Sequence, residues 1–261
     1  MHSAIINGVD LHYADQGPQD APALVFANSL GTDLRLWDAL IPHLPGGLRL
    51  IRYDKRGHGL SEETPGPYNI DLLADDAAAL IAHLGVTRPV FVGLSIGGLI
   101  GQSLALRHGG LAGLVISNSA AKIGETDMWN ARVQTIRQGG ITAISAATME
   151  RWFSPDFRNT PALGLWQRML ERQPVQGYIA CCQAIAAADY RADAPTLDLP
   201  VHLIGGGLDG AMPPEIVQAT AALIPGADYT EIKGAGHLPC VESPAEYAAI
   251  LTRFLQRIGH V

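Results

Sequence analysis

Pro89-Val90-Phe91-Val92-Gly93-Leu94-Ser95-Ile96-Gly97-Gly98 is the stretch from which the rest of the chain can be ordered. An apolar run enters Gly93, a Gly-x-Ser-x-Gly pattern fills positions 93 to 97, and a helix-competent segment follows over 96–108. The five-residue pattern alone recurs by chance. Its setting is what makes it specific, because a strand, a sharp turn and a helix in that order form a nucleophile elbow, with the serine hydroxyl raised above the sheet edge. Glycine at 93 and 97 removes the side chains that would collide where the chain reverses so tightly around a strained residue. The plainer reading of Ser95 is an ordinary helix N-cap.

Working outward, short apolar runs bounded by turn residues lie at 23–27, 48–53, 90–93, 111–117, 201–205 and 229–232. Helix-period stretches such as 70–84 separate most of them. Continuous apolar strands alternating with helices indicate a parallel sheet covered on both faces. At the start, alternation around Asn7-Gly8 is the strongest short-range signal of an antiparallel hairpin. The fold class is therefore α/β, a mostly parallel eight-stranded sheet with helices on both faces. One segment breaks the alternation: 122–193 has helical patterning, no convincing strand, and the aromatics Trp129, Trp152, Phe153, Phe157, Trp166, Tyr178 and Tyr190. It reads as a helical lid inserted after the sixth strand, over the sheet edge where open α/β sheets bind ligands. The core domain is then 1–121 and 194–261.

Composition removes other classes. In 261 residues, 48% are hydrophobic and 16% charged, too apolar for a disordered chain. The net charge of -7 offers no basic face for nucleic acid or an anionic membrane. Three cysteines, Cys181, Cys182 and Cys240, form neither a disulfide framework nor a CxxC pair, and a reducing cytoplasm fits them best. No signal-like leader and no apolar run of about 20 residues is visible, so export and membrane spanning are not expected. Neither HExxH nor clustered Cys/His spacing occurs, so no metal and no cofactor is expected. The oligomeric expectation is a monomer or small homo-oligomer.

A serine hydroxyl needs a base to take its proton, and the base needs a carboxylate to hold it. Among nine histidines, His237 follows a strand-like run in the turn Gly234-Ala235-Gly236-His237, and Asp209 follows another in Gly205-Gly206-Gly207-Leu208-Asp209-Gly210. The competing place for the acid, after 111–117, holds Asn118 and Ser119, which cannot ionise to a carboxylate. Backbone N–H groups should meet the developing oxyanion. Ile96, next to the serine at the helix N-terminus, supplies one, and Leu30, in Asn28-Ser29-Leu30-Gly31 after the strand 23–27, supplies the other. Ser29 and Gly31 are small enough to let backbone approach a substrate. The charged turn Tyr53-Asp54-Lys55-Arg56-Gly57-His58-Gly59 lacks a phosphate-loop pattern and reads as structural, and Cys181-Cys182 as packing.

With these residues in hand, the chain resembles the α/β-hydrolase superfamily along essentially its whole length, and within it the 3-oxoadipate enol-lactonases. Residues 26–33, 53–59 and 93–98 and the lid segments Arg151-Trp152-Phe153-Ser154-Pro155 and Gly177-Tyr178 carry the likeness. Asn28-Ser29 stands where most superfamily relatives have His-Gly, as in the lactonases, whereas the acid loop is more glycine-rich than the family pattern. The resemblance implies opening of an enol-lactone ring with Ser95, His237 and Asp209 as the triad. It also implies a small anionic lactone as substrate, whose free carboxylate would meet Arg132, or else Arg151, with Trp129, Trp152 and Ser29 around it. Because an overall negative protein gains nothing in steering an anion, local lid arginines must offset that field. The alternatives are a carboxylesterase or C–C bond hydrolase with another pocket, and a non-catalytic ligand-binding homologue. Dehalogenases and epoxide hydrolases of this fold need Asp where Ser95 stands.

Overall fold

In the computed structural model, which describes residues 2–261, β1 (His2–Ile6) and β2 (Val9–Gln16) form the expected hairpin. Asn7 and Gly8 have φ of 49° and 76°. Two positive φ values in a two-residue loop are what a type I′ turn demands, and Asn-Gly is the pair that tolerates them. The remaining strands are β3 (Ala23–Ala27), β4 (Arg49–Tyr53), β5 (Val90–Leu94), β6 (Gly113–Ser117), β7 (Val201–Gly206) and β8 (Asp228–Ile232). They form one sheet in the order β1-β2-β4-β3-β5-β6-β7-β8. Only β1/β2 and β2/β4 pair antiparallel; every other pair is parallel.

All residues of β3, β4, β5 and β6 are buried. Since neighbouring side chains on a strand point to opposite faces, both faces of the sheet centre are covered. The crossovers include α1 (Ile70–His83) and α2 (Ile96–Arg107), which pack on each other. Strand boundaries shift by a residue or two from the apolar runs, with 111–117 beginning at Gly113 and 48–53 at Arg49. Pairing, not hydrophobicity, sets where a strand starts.

Between β6 and β7 lie five α-helices and no strand: α3 (Thr126–Gly139), α4 (Thr142–Trp152), α5 (Pro155–Arg158), α6 (Leu163–Glu171) and α7 (Val175–Ala187). Their aromatics are occupied. Trp129, Trp152, Phe153 and Tyr178 are buried, and Phe157, Trp166 and Tyr190 pack half-buried against the core. The segment rests on loops at the C-terminal ends of the strands. A methyl on Gly177 would collide with the Gly57 backbone after β4, and one on Gly31 after β3 would meet Leu170 and Tyr178. The chain closes with α8 (Pro214–Leu223) between β7 and β8, then α9 (Pro239–Glu242) and α10 (Pro244–Arg257).

Candidate active site

Ser95 leaves β5 with φ 58° and ψ −118°, a conformation that L residues with a Cβ seldom adopt. Its side chain makes no cap hydrogen bond, so the N-cap reading does not describe it. The strain is held by neighbours: Ser95 N–H donates to Ser117 O at 2.9 Å, and Ser119 Oγ donates to Ser95 O at 2.7 Å. A Cβ on Gly93 would strike the Gly97 carbonyl, and one on Gly97 would strike the carbonyl of Ala27 in β3. Both obstacles are backbone and cannot step aside. Gly97→Ala is therefore expected to lower stability by about 3 kcal/mol, read as a fall in the urea midpoint at unchanged m-value.

The loops after β7 and β8 bring Asp209 and His237 together. His237 Nδ1 and Asp209 Oδ2 are 2.7 Å apart, and both residues are buried. Asp209 Oδ2 also accepts from Asn118 Nδ2 at 2.8 Å, while Oδ1 accepts the N–H groups of Ala211 and Met212 at 2.7 and 2.8 Å. Both carboxylate oxygens are thus held by two partners each within the protein. Glycine enrichment here has a steric cause, because a Cβ on Gly206 would enter the Gly236 carbonyl and one on Gly207 would meet Lys233 O at 2.7 Å. The acid loop lies flat against the histidine loop.

Two residues of this arrangement escape a reading of the sequence. Asn118, in the left-handed region at φ 47°, was visible only as a residue that cannot be the acid, yet its amide donates to both Asp209 and Gly236 O. A polar amide at the C-terminal end of a central strand is the signal that could have found it. Glu242 accepts from Gly236 N–H at 2.8 Å and from Ser154 N–H at 3.0 Å, tying the histidine loop to the segment after α4. His237 N–H donates to Trp152 O at 2.7 Å, and the Trp152 and His237 rings lie 24° from parallel.

After β3, Leu30 N–H has no hydrogen-bond acceptor among the described residues, and Ile96 N–H stands in the first turn of α2, where helix N–H groups lack an intrahelical partner. Gly31 departs from expectation. Its N–H donates to His58 Nε2 at 3.0 Å and its missing side chain admits Leu170 and Tyr178, so its smallness serves packing, not substrate. The turn after β4 is structural, as read, and it buttresses this loop. Asp54 accepts from Leu34 N–H and Leu60 N–H and pairs with His12, and His58 is held well below its ordinary pKa by burial, so it stays neutral and able to accept from Gly31. Cys181 and Cys182 are free and buried.

Ser95 and His237 open onto one cavity of about 290 Å³, whose wall includes Ser29, Leu30, Trp129, Arg132, Arg151 and Trp152. Asp209 stands behind His237, and Ile96 lies beneath the wall, outside its lining. Ser29 Oγ is buried with no hydrogen-bond partner. Arg132 donates to Tyr178 Oη at 2.7 Å and Thr148 Oγ1 at 3.0 Å, and Arg151 to Gly210 O at 3.0 Å. Neither guanidinium pairs with a carboxylate among the described residues. Although Arg151 is exposed overall, partial desolvation and then repulsion from Arg132 pull it below the usual arginine pKa. Two cations facing one small cavity make an environment that an anion would relieve.

Comparison with known proteins agrees with this geometry. Residues 24–250 match the model of the Alpha/beta hydrolase family. The chain is 37% identical to 3-oxoadipate enol-lactonase 2 of Acinetobacter baylyi, covering 94% of each, and 31% identical to 3-oxoadipate enol-lactonase 1 of the same organism, covering 99% of this chain and 98% of that one. The crystal structure of the enol-lactonase from Burkholderia xenovorans LB400 superposes with a TM-score of 0.94 at 36% identity, over 98% of this chain and 100% of that one. A strained serine after the central strand, a buried Asp–His pair on the neighbouring loops and this likeness along nearly the full length place the chain in the α/β-hydrolase family.

Proposed function

We propose that the protein is a serine hydrolase that opens the lactone ring of 3-oxoadipate enol-lactone to give 3-oxoadipate. The observation that carries the reading is the shared cavity: Ser95 and His237 on one wall and two carboxylate-free guanidiniums, Arg132 and Arg151, on another. A lactone bearing a free carboxylate fits both walls, and the relatives above carry the name of that activity. Residues 122–193 act as a lid on a core of 1–121 and 194–261, supplying the arginines and the tryptophans Trp129 and Trp152. The local cations also offset the net charge of -7 for an anionic substrate. A cytoplasmic setting suits three buried free cysteines.

In the proposed reaction, His237 uses Nε2 to take the Ser95 proton, since Nδ1 is engaged by Asp209. Ser95 Oγ attacks the lactone carbonyl, and the Leu30 and Ile96 N–H groups receive the oxyanion. Collapse breaks the ring C–O bond. The leaving oxygen is an enolate, protonated by His237, and it stays attached to the acyl chain. Water, deprotonated by the same histidine, then attacks the acyl–serine carbonyl; as the acyl–oxygen bond breaks, His237 returns that proton to Ser95 Oγ, and the released enol tautomerises to the ketone. No cofactor takes part.

Loss of the enol-lactone absorbance, followed with purified protein, tests the reading. A lactone that persists while simple aryl esters are cleaved would make the protein a general esterase. The carboxylate subsite has its own test. Arg132→Ala should raise KM for the lactone by about ten- to a hundredfold, the worth of a hydrogen bond to a charged group, and leave KM for p-nitrophenyl acetate unchanged. An unchanged lactone KM removes Arg132 from the subsite.

A further inference from the structure

Lys55 is buried beneath the loop after β3, 2% exposed, and aims its ammonium at main chain. Nζ donates to Ser29 O at 2.8 Å and lies 3.5 Å from Asn28 O, and no carboxylate lies within ion-pair distance among the described residues. The Ser29 carbonyl accepts twice more, from Thr32 Oγ1 at 3.0 Å and Thr32 N–H at 3.3 Å. That carbonyl belongs to the peptide group whose N–H is Leu30. Because the peptide bond is a resonance hybrid, a cation on its oxygen draws density from its nitrogen and makes the N–H a stronger donor. Burying an ammonium against neutral carbonyls is otherwise unfavourable.

We infer that Lys55 is a positioning residue for the reaction: through the Ser29–Leu30 peptide group it orients and polarises the Leu30 N–H that binds the oxyanion. The inference rests on the assignment of Leu30 as an oxyanion donor. The charges around Lys55 make the effect dependent on pH. Burial pushes its pKa down to about 8, against the opposing influence of the carboxyl groups of Asp54 and Asp33. Burial pushes the Cys181 thiol up to about 12, so it stays neutral, and the neighbouring His58 is neutral as well. As pH rises through about 8 the ammonium becomes an amine and the polarisation is lost.

The test compares wild type, Lys55→Met and Lys55→Arg in lactone hydrolysis from about pH 6 to about pH 10, a window that spans the lysine titration. It adds amide NMR of Leu30 with and without a phenylboronic acid adduct on Ser95, a tetrahedral oxyanion mimic. Lys55→Met should lower kcat by about ten- to a hundredfold, part of the worth of a whole oxyanion donor, with KM unchanged. The wild-type kcat should fall as pH rises through about 8. That alkaline limb should vanish in Lys55→Met and move to higher pH in Lys55→Arg. The Leu30 amide proton should move downfield on adduct formation in wild type and by less in Lys55→Met. Equal kcat and equal displacement in the two proteins would overturn the role of Lys55 alone. No displacement in wild type would instead remove Leu30 from the oxyanion site, and the inference with it. If Lys55→Met does not fold, the wild-type adduct decides: a Leu30 amide that stays put through the lysine titration refutes the inference.

Discussion

Ser95→Ala is expected to lower kcat for the lactone by about 10⁶-fold, the scale on which removing a triad nucleophile acts, without loss of stability. The second half of that expectation is as specific as the first. The strain at φ 58° arises from a Cβ in the left-handed region, and alanine carries the same Cβ. The Ser95 hydroxyl makes no cap hydrogen bond in the fold, so none is lost. What disappears is the hydroxyl proposed to form the acyl-enzyme. Thermal melting of the variant should superimpose on that of wild type while lactone absorbance stays constant over time. A variant that hydrolysed the lactone at a rate comparable with wild type would mean that water, not Ser95, attacks the carbonyl. A variant that failed to fold would move Ser95 from chemistry to structure.

Asp209→Asn should cost about 10⁴-fold in kcat, with KM little changed. Asp209 is surrounded by donors on every side: two main-chain N–H groups on Oδ1, His237 Nδ1 and the Asn118 amide on Oδ2. An asparagine can face only one of these pairs with its oxygen. Directing the oxygen at Ala211 and Met212 points the NH₂ at His237, which then keeps its proton on Nε2 and cannot accept one from Ser95. Directing it at His237 sets NH₂ against the half-buried Ala211 N–H and the buried Met212 N–H, a cost of about 1–3 kcal/mol for a buried group left unpaired. The measurement is kcat and KM together across pH. A loss confined to KM would show that Asp209 serves substrate binding and does not hold the histidine tautomer.

The order of the elements and the residue types of the site were legible along the chain, for a common reason. Apolar periodicity, the Asn7-Gly8 turn and the strand–GxSxG–helix passage are local, encoded within a dozen neighbouring residues. A serine, an acid and a histidine each placed just after a strand follow from the same local pattern, because strand ends in a parallel sheet gather along one edge. The helical segment between β6 and β7 was legible as an interruption of that pattern. Its division into five α-helices and the two arginines it turns toward Ser95 depend on how the segment lies over the sheet.

What only the tertiary structure decided is how the loops touch. Asn118 and the acid it holds are 91 residues apart, and Gly59 N–H meets the Gln173 side chain across 114. The same applies to the glycines around Asp209, which look loose in the sequence. In the fold, Gly206 and Gly207 are the places where the acid loop touches the histidine loop, backbone on backbone. The charged turn at 53–59 reads as structural, but that residues 53–58 lie buried beneath the loop that carries Leu30 is decided by the fold. The sequence by itself determined which residues could do acyl-transfer chemistry and in what order they leave the sheet, since periodicity and turn chemistry act between neighbours. Which groups restrain them was decided by strand order and register, which bring segments a hundred residues apart within hydrogen-bonding distance and leave no trace in local pattern.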